Sequence, residues 1–102
     1  MIYHTIEIPQ DWLAEFCRRN HIRRLSLFGS ILREDFRTDS DVDILVEFEP
    51  GKTPSLVTMV GLEMELSEKL GRRVDLRTPK DLSRYFRDEV LEGAVPQYVA
   101  EG

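Results

Sequence analysis

Leu25-Ser26-Leu27-Phe28-Gly29-Ser30 and, ten residues later, Asp41-Val42-Asp43-Ile44-Leu45-Val46 decide how this chain folds. The second stretch opens with two carboxylates two residues apart and runs on into apolar residues. Strand side chains alternate, so Asp41 and Asp43 share one face and Val42 takes the other. Two like charges about 4 Å apart repel by roughly 4 kcal/mol at an effective dielectric near 20. A fold that keeps such a pair usually places a cation between them. Hard oxygen ligands on a strand suit Mg²⁺, which takes one or two carboxylates together with substrate phosphates. The first stretch ends in a tight turn. Gly29 lets a ligand approach the backbone closely, and Ser30 is expected to cap the next segment and turn its N–H groups toward an anion. A phosphate site beside a metal site is what phosphoryl or nucleotidyl transfer requires.

Working outward, the helical recurrence of Trp12, Leu13, Phe16 and Cys17 predicts a core-covering helix from Pro9 through Asn20. Cys17 then reads as a small core residue rather than a nucleophile. The lead-in at 1–8 alternates weakly and fits either an edge strand or a loose segment. A strand is expected at 25–28, with Arg23 and Arg24 as its solvated entry. His4 and His21 read as surface residues. A short helical turn is expected at 30–33, a polar loop containing Asp35 and Asp39 at 34–40, and the central strand at 41–48, apolar on both sides as in a doubly covered strand.

After a turn at 49–54, Ser55 is expected to cap a helix that Gly71 ends. Its apolar stripe is Leu56, Val57, Met59, Val60, Met64, Leu66 and Leu70, with both methionines read as core filling. Residues 72–77 predict a third strand, with Val74 and Leu76 on one face and Arg73, Asp75 and Arg77 on the other. Thr78 and Pro79 start a last helix, which either continues through Leu82, Tyr85, Phe86, Val90 and Leu91 or breaks in two; Gly93 and Pro96 close it. The expected architecture is α/β (α+β): one domain, 1–102, with a small mixed sheet flanked by helices.

If the 72–77 strand lies beside the 41–48 strand, Asp75 joins Asp41 and Asp43, and three carboxylates can hold two Mg²⁺ ions. Asp39-Ser40-Asp41-Val42-Asp43 also mimics the start of a calcium loop, but the required Gly and Glu positions hold Ile44 and Pro50. No Gly-rich run ends in Lys-Ser/Thr, so there is no P-loop. At 102 residues the chain has room for one core. A net charge of −5 argues against general affinity for nucleic acid backbone, although arginine outnumbers lysine eleven to three. The single cysteine excludes an internal disulfide and fits a reducing cytoplasm. Neither a signal peptide nor a membrane-spanning run is expected.

Gly29-Ser30, Arg33 and Ser40-Asp41-Val42-Asp43 together resemble the G-S-x(2)-R-x(n)-S-D-x-D signature of the DNA polymerase β-like nucleotidyltransferase superfamily. The short chain, and the late Arg-Val-Asp-Leu strand followed by Thr-Pro, are similar to its smallest branch, the minimal nucleotidyltransferase (MNT) domains. The resemblance spans about residues 23–98. It implies that Asp41 and Asp43 bind two metals and that Asp75 completes the triad. It implies that Gly29 and Ser30 hold the β- and γ-phosphates of ATP, and that Arg33 contacts phosphate or supports the loop. Glu34 departs from the Gly that many relatives carry. MNT antitoxins transfer AMP to a tyrosine of a partner HEPN-domain toxin, and the resemblance implies that activity here. Two alternatives stay open: a nucleotidyltransferase for a small, aminoglycoside-like acceptor, with a homodimer supplying the missing wall, and an antitoxin that blocks its partner by binding alone.

Overall fold

A computed structural model of the chain describes residues 2–3, 6–34, 36–37 and 39–100. His4, Asp35 and Thr38 therefore lie outside the described residues. The undecided lead-in is a small antiparallel pair, β1 (Ile2–Tyr3) and β2 (Ile6–Glu7), separate from the main sheet. Ile6 and Ile8 are buried in the core. Helix α1 (Gln10–Arg19) starts just after Pro9 and buries Leu13, Phe16 and Cys17. Trp12 stacks on Phe16 at 5.1 Å.

The main sheet has four strands in the order β5-β4-β3-β6. Strand β3 spans Ile22–Phe28, β4 Val42–Phe48, β5 Val74–Arg77 and β6 Val95–Val99. β4 runs antiparallel to β3 and parallel to β5, so the sheet is mixed as expected. β3 begins three residues before the expected 25. A bulge between Ile22 and Arg24 lets Ile22 stay buried while Arg23 and Arg24 turn outward, which hid the alternation. Both arginines sit 3.7–3.8 Å from the Glu47 carboxylate, as part of the strand rather than its entry. Strand β5 is shorter than the expected 72–77; Arg72 and Arg73 belong to the preceding turn.

One sheet face carries Leu25, Leu27, Val42, Ile44, Val46, Val74 and Leu76, all buried in one core with residues of α1 and of α2 (Leu56–Leu70). The Arg19–Glu65 ion pair at 2.8 Å and Lys69 over the Trp12 ring at 5.5 Å link the two helices. Ser55 caps α2 by accepting from the Thr58 N–H, and Gly71 ends it with φ +68°. The stripe is narrower than expected. Leu62 and Leu66 are buried, while Leu56, Val57, Val60 and Met64 face outward, Met64 at 66% exposure. The reading of Met64 as core filling is therefore wrong. α2 covers the β5 edge of the sheet with Leu62 and Leu66, flanked by partly buried Met59 and Leu70, while Leu56, Val57, Val60 and Met64 stay on its exposed side.

The last expected helix is broken. Pro79–Asp81 forms one 3-10 turn, held by the Thr78 N–H and hydroxyl donating to the Asp81 carboxylate. Helix α3 (Arg87–Gly93) follows after an interval in which Tyr85 and Phe86 are exposed. Strand β6, which the sequence did not suggest, pairs antiparallel with β3. Pro96 fits there because an edge strand can dispense with one N–H donor.

Leu66→Ala is expected to cost about 2–5 kcal/mol in urea unfolding, by removing a fully buried side chain. Met64→Ala, two residues away on the exposed side, is expected to stay within about 0.5 kcal/mol of wild type.

Candidate active site

β3 ends opposite Asp43, since Phe28 pairs with Asp43 in the β3–β4 ladder. The chain then turns through Gly29, at φ +74°, into a single 3-10 turn, Gly29–Leu32. A Cβ at Gly29 would collide with the Asp43 carboxylate. The glycine is thus required twice, by its left-handed backbone and by the oxygen lying against it. Ser30 lies inside the turn rather than capping a helix. Its backbone N–H donates to Asp43. This corrects the expected cap: the donor expected to face an anion faces a carboxylate of the chain itself. Arg33 closes the turn, its N–H donating to the Ser30 carbonyl at 2.9 Å, and its side chain is exposed.

The parallel β4–β5 register sets Asp43 directly beside Asp75, and Val42 beside Val74 on the buried face. The juxtaposition expected if the two strands were neighbours is present. Asp41 immediately precedes β4, whose first residue is fastened by the Val42 N–H donating to the Arg73 carbonyl at 2.8 Å. Arg77 donates to both Asp75 oxygens at 3.2 Å. Partial burial raises the Asp43 carboxyl above its ordinary range, and the charges of Asp75 and then Asp41 push it the same way. Arg77 and the Ser30 N–H offset this in part.

Among the described residues, no three such side chains close around a single point as a ready-made metal cage. Asp75 is turned to Arg77 instead. The donor set suits a hard cation that draws its remaining oxygens from a nucleotide, because Mg²⁺ needs only one or two carboxylates when phosphates are present. A groove of about 840 Å³, lined in part by Asp41 and Asp75, opens beside them along the C-terminal half of α2.

One contributor escaped the sequence reading. Arg72 donates to the carbonyls of Arg37 and Ser40, both at 2.7 Å, and its guanidinium lies 4.7 Å from the Phe36 ring centroid. It clamps the loop leading into Asp41 to the turn after α2. Ser40 adds a local bond, accepting from the Arg37 N–H at 3.0 Å. The available signal was Gly71: a helix that ends on a left-handed glycine leaves the next residue in a turn, not in a strand. Away from the site, Cys17 is fully buried and its thiol is pushed up to about 12 by burial, so it is no nucleophile. His21, at φ +56°, is an exposed turn residue with Nδ1 3.6 Å from the Glu49 carboxylate.

The sequence profile of the nucleotidyltransferase domain family matches residues 11–96. A protein adenylyltransferase, MntA, of Thermococcus cleftensis is 41% identical over 81 residues, covering 79% of this chain and 80% of that protein. A chain of a toxin–antitoxin crystal structure with AMP-PNP superposes with TM-score 0.72 at 21% identity, over 92% of this chain and 76% of that one. A chain from a tri-AMPylated Shewanella oneidensis HEPN toxin in complex with MNT antitoxin gives TM-score 0.64 at 22% identity, over 89% and 70%. At these identities the two structural likenesses are likenesses of fold.

Gly29→Ala is expected to abolish nucleotidyl transfer and to lower the melting temperature, because the added methyl displaces Asp43. Asp43→Asn is expected to lose activity yet melt higher than wild type. Water screens this half-exposed site, so the gain is about 1 kcal/mol or less, a few degrees in a domain of this size. An acid whose folded-state pKa is raised penalises the fold when charged, so the penalty is full at neutral pH and fades as pH falls. The melting-temperature gap between Asp43→Asn and wild type is therefore expected to close on acidification, measured without divalent cations.

Proposed function

The chain belongs to the nucleotidyltransferase domain family, and from that premise we propose that it transfers AMP from ATP to a tyrosine of a HEPN-domain partner protein, silencing a toxin. The observation that carries the reading is Asp43, set between the Gly29–Ser30 turn on one side and Asp75 on the other. The relationship to the Thermococcus adenylyltransferase supports AMP as the transferred group. The fold shared with chains of toxin–antitoxin complexes supports a HEPN toxin as the acceptor.

In this reading the chain acts as a single minimal nucleotidyltransferase domain. Asp41, Asp43 and Asp75 hold two Mg²⁺ ions, which when bound neutralise the triphosphate and lower the pKa of the acceptor hydroxyl. Gly29 and Ser30 border the β- and γ-phosphates, the Ser30 N–H staying on Asp43, with Arg33 beside them as a further phosphate contact. The acceptor oxygen bonds to the α-phosphorus as the bond to the bridging oxygen breaks, and pyrophosphate leaves with that oxygen. The proton passes to Asp75, whose carboxylate is oriented by its pairing with Arg77. The buried free thiol of Cys17, and the lack of any described helix long and apolar enough to cross a membrane, fit action in the cytoplasm.

Intact-mass spectrometry tests the reading. The protein is incubated with Mg²⁺, ATP and the product of the adjacent gene, the expected HEPN-domain partner. Wild type is expected to add AMP to the partner, and the Asp41→Ala, Asp43→Ala double variant to add none. Equal addition by both would overturn the assignment of the acids. Tight binding without addition would favour an antitoxin that acts by binding alone.

A further inference from the structure

We infer that the groove along the outer edge of β5 receives the acceptor tyrosine of the partner protein, and that Met64 forms its apolar wall. The inference rests on the transfer reaction proposed above and names the surface that selects the acceptor.

The sheet order supplies the direction. Gly29 and Ser30 follow β3, Asp43 stands on β4 in the middle, and Asp75 stands on β5 beyond it. Neighbouring strands are about 4.8 Å apart, so the three features form a row of molecular dimensions. An in-line displacement holds the attacking and leaving oxygens on opposite sides of the phosphorus. With pyrophosphate departing over the Gly29–Ser30 turn, the attacking oxygen comes from the β5 side.

The groove of about 840 Å³ lies there, with Asp41, Asp75, Met64, Glu68 and Arg73 among its lining residues. Its volume is in the range of sites that take a side chain or small ligand. Met64 is two-thirds exposed on a helix whose neighbouring turns are anchored by buried Leu62 and Leu66. A thioether is a favourable contact for an aromatic ring. The Arg73 side chain is exposed and makes no ion pair among the described residues, and a guanidinium also favours aromatic faces.

The β5 edge itself is closed to a bound strand. The Val74 N–H donates to the Ser67 hydroxyl at 2.9 Å and the Leu76 N–H to the Glu63 carboxylate at 2.7 Å. An incoming segment is therefore held by its side chains in the groove and not by backbone pairing.

Steady-state AMP transfer to the HEPN-domain partner, varying partner and ATP separately, tests this with Met64→Glu. Leu56→Glu, on the same helix, more exposed and outside the groove, is the control. Met64→Glu is expected to raise KM for the partner at least tenfold and to leave KM for ATP within twofold of wild type, with Leu56→Glu unchanged in both. A partner KM within twofold of wild type for Met64→Glu, or an equal rise with Leu56→Glu, overturns the groove while leaving the transfer reaction intact. A wild type that transfers no AMP removes the parent reading and the groove's role with it.

Discussion

Two carboxylates held side by side on parallel neighbouring strands are the constraint on which the rest of this structure depends. Asp43 and Asp75 face each other because Val42 and Val74, one residue earlier on each strand, are locked into the core on the opposite face. Shifting either strand by one residue would bury an acid and expose a valine, so the hydrophobic core enforces the electrostatic strain. The surroundings answer that strain in part, with Arg77 on Asp75 and the Ser30 N–H on Asp43. What is left over is negative charge in a fixed place. That is a poor arrangement for stability and a good one for binding a cation together with a phosphate chain.

Much of this was legible before any coordinates. The D-x-D pattern, the Phe28-Gly29-Ser30 turn and the helix caps Ser55 and Gly71 are local signals, each with a short-range physical cause. The third acid was legible conditionally, because its place depends on which strands are neighbours. The losses came where tertiary context overrode local pattern. Met64 lies on an apolar stripe, yet the buried residues of α2 are Leu62 and Leu66, and Met64 faces outward. Strand β6 went unread because Gly93 and Pro96 look like terminators, and proline is acceptable only at a sheet edge that sequence cannot reveal. The start of β3 was masked by a bulge that sends two arginines outward.

Arg72 shows a different kind of illegibility. Its role is to hold two carbonyls and one aromatic ring of a loop more than thirty residues earlier in the chain. Nothing in its immediate sequence marks such a task. The loop it fastens ends at Asp41, so the geometry of the first acid is set from the far side of α2. The forked, planar guanidinium suits the work, since one nitrogen bridges two acceptors while the plane rests over a ring.

The two sheet margins share a further property. On the β5 side, Glu63 and Ser67 consume the outward N–H groups; on the β6 side, Pro96 has no N–H to give. Unpaired strand edges are where like molecules add to one another and grow into aggregates. With both margins blunted, copies of this small acidic chain have little backbone through which to stack. The chain can then keep an apolar flank on α2 in contact with water without inviting its own polymerisation.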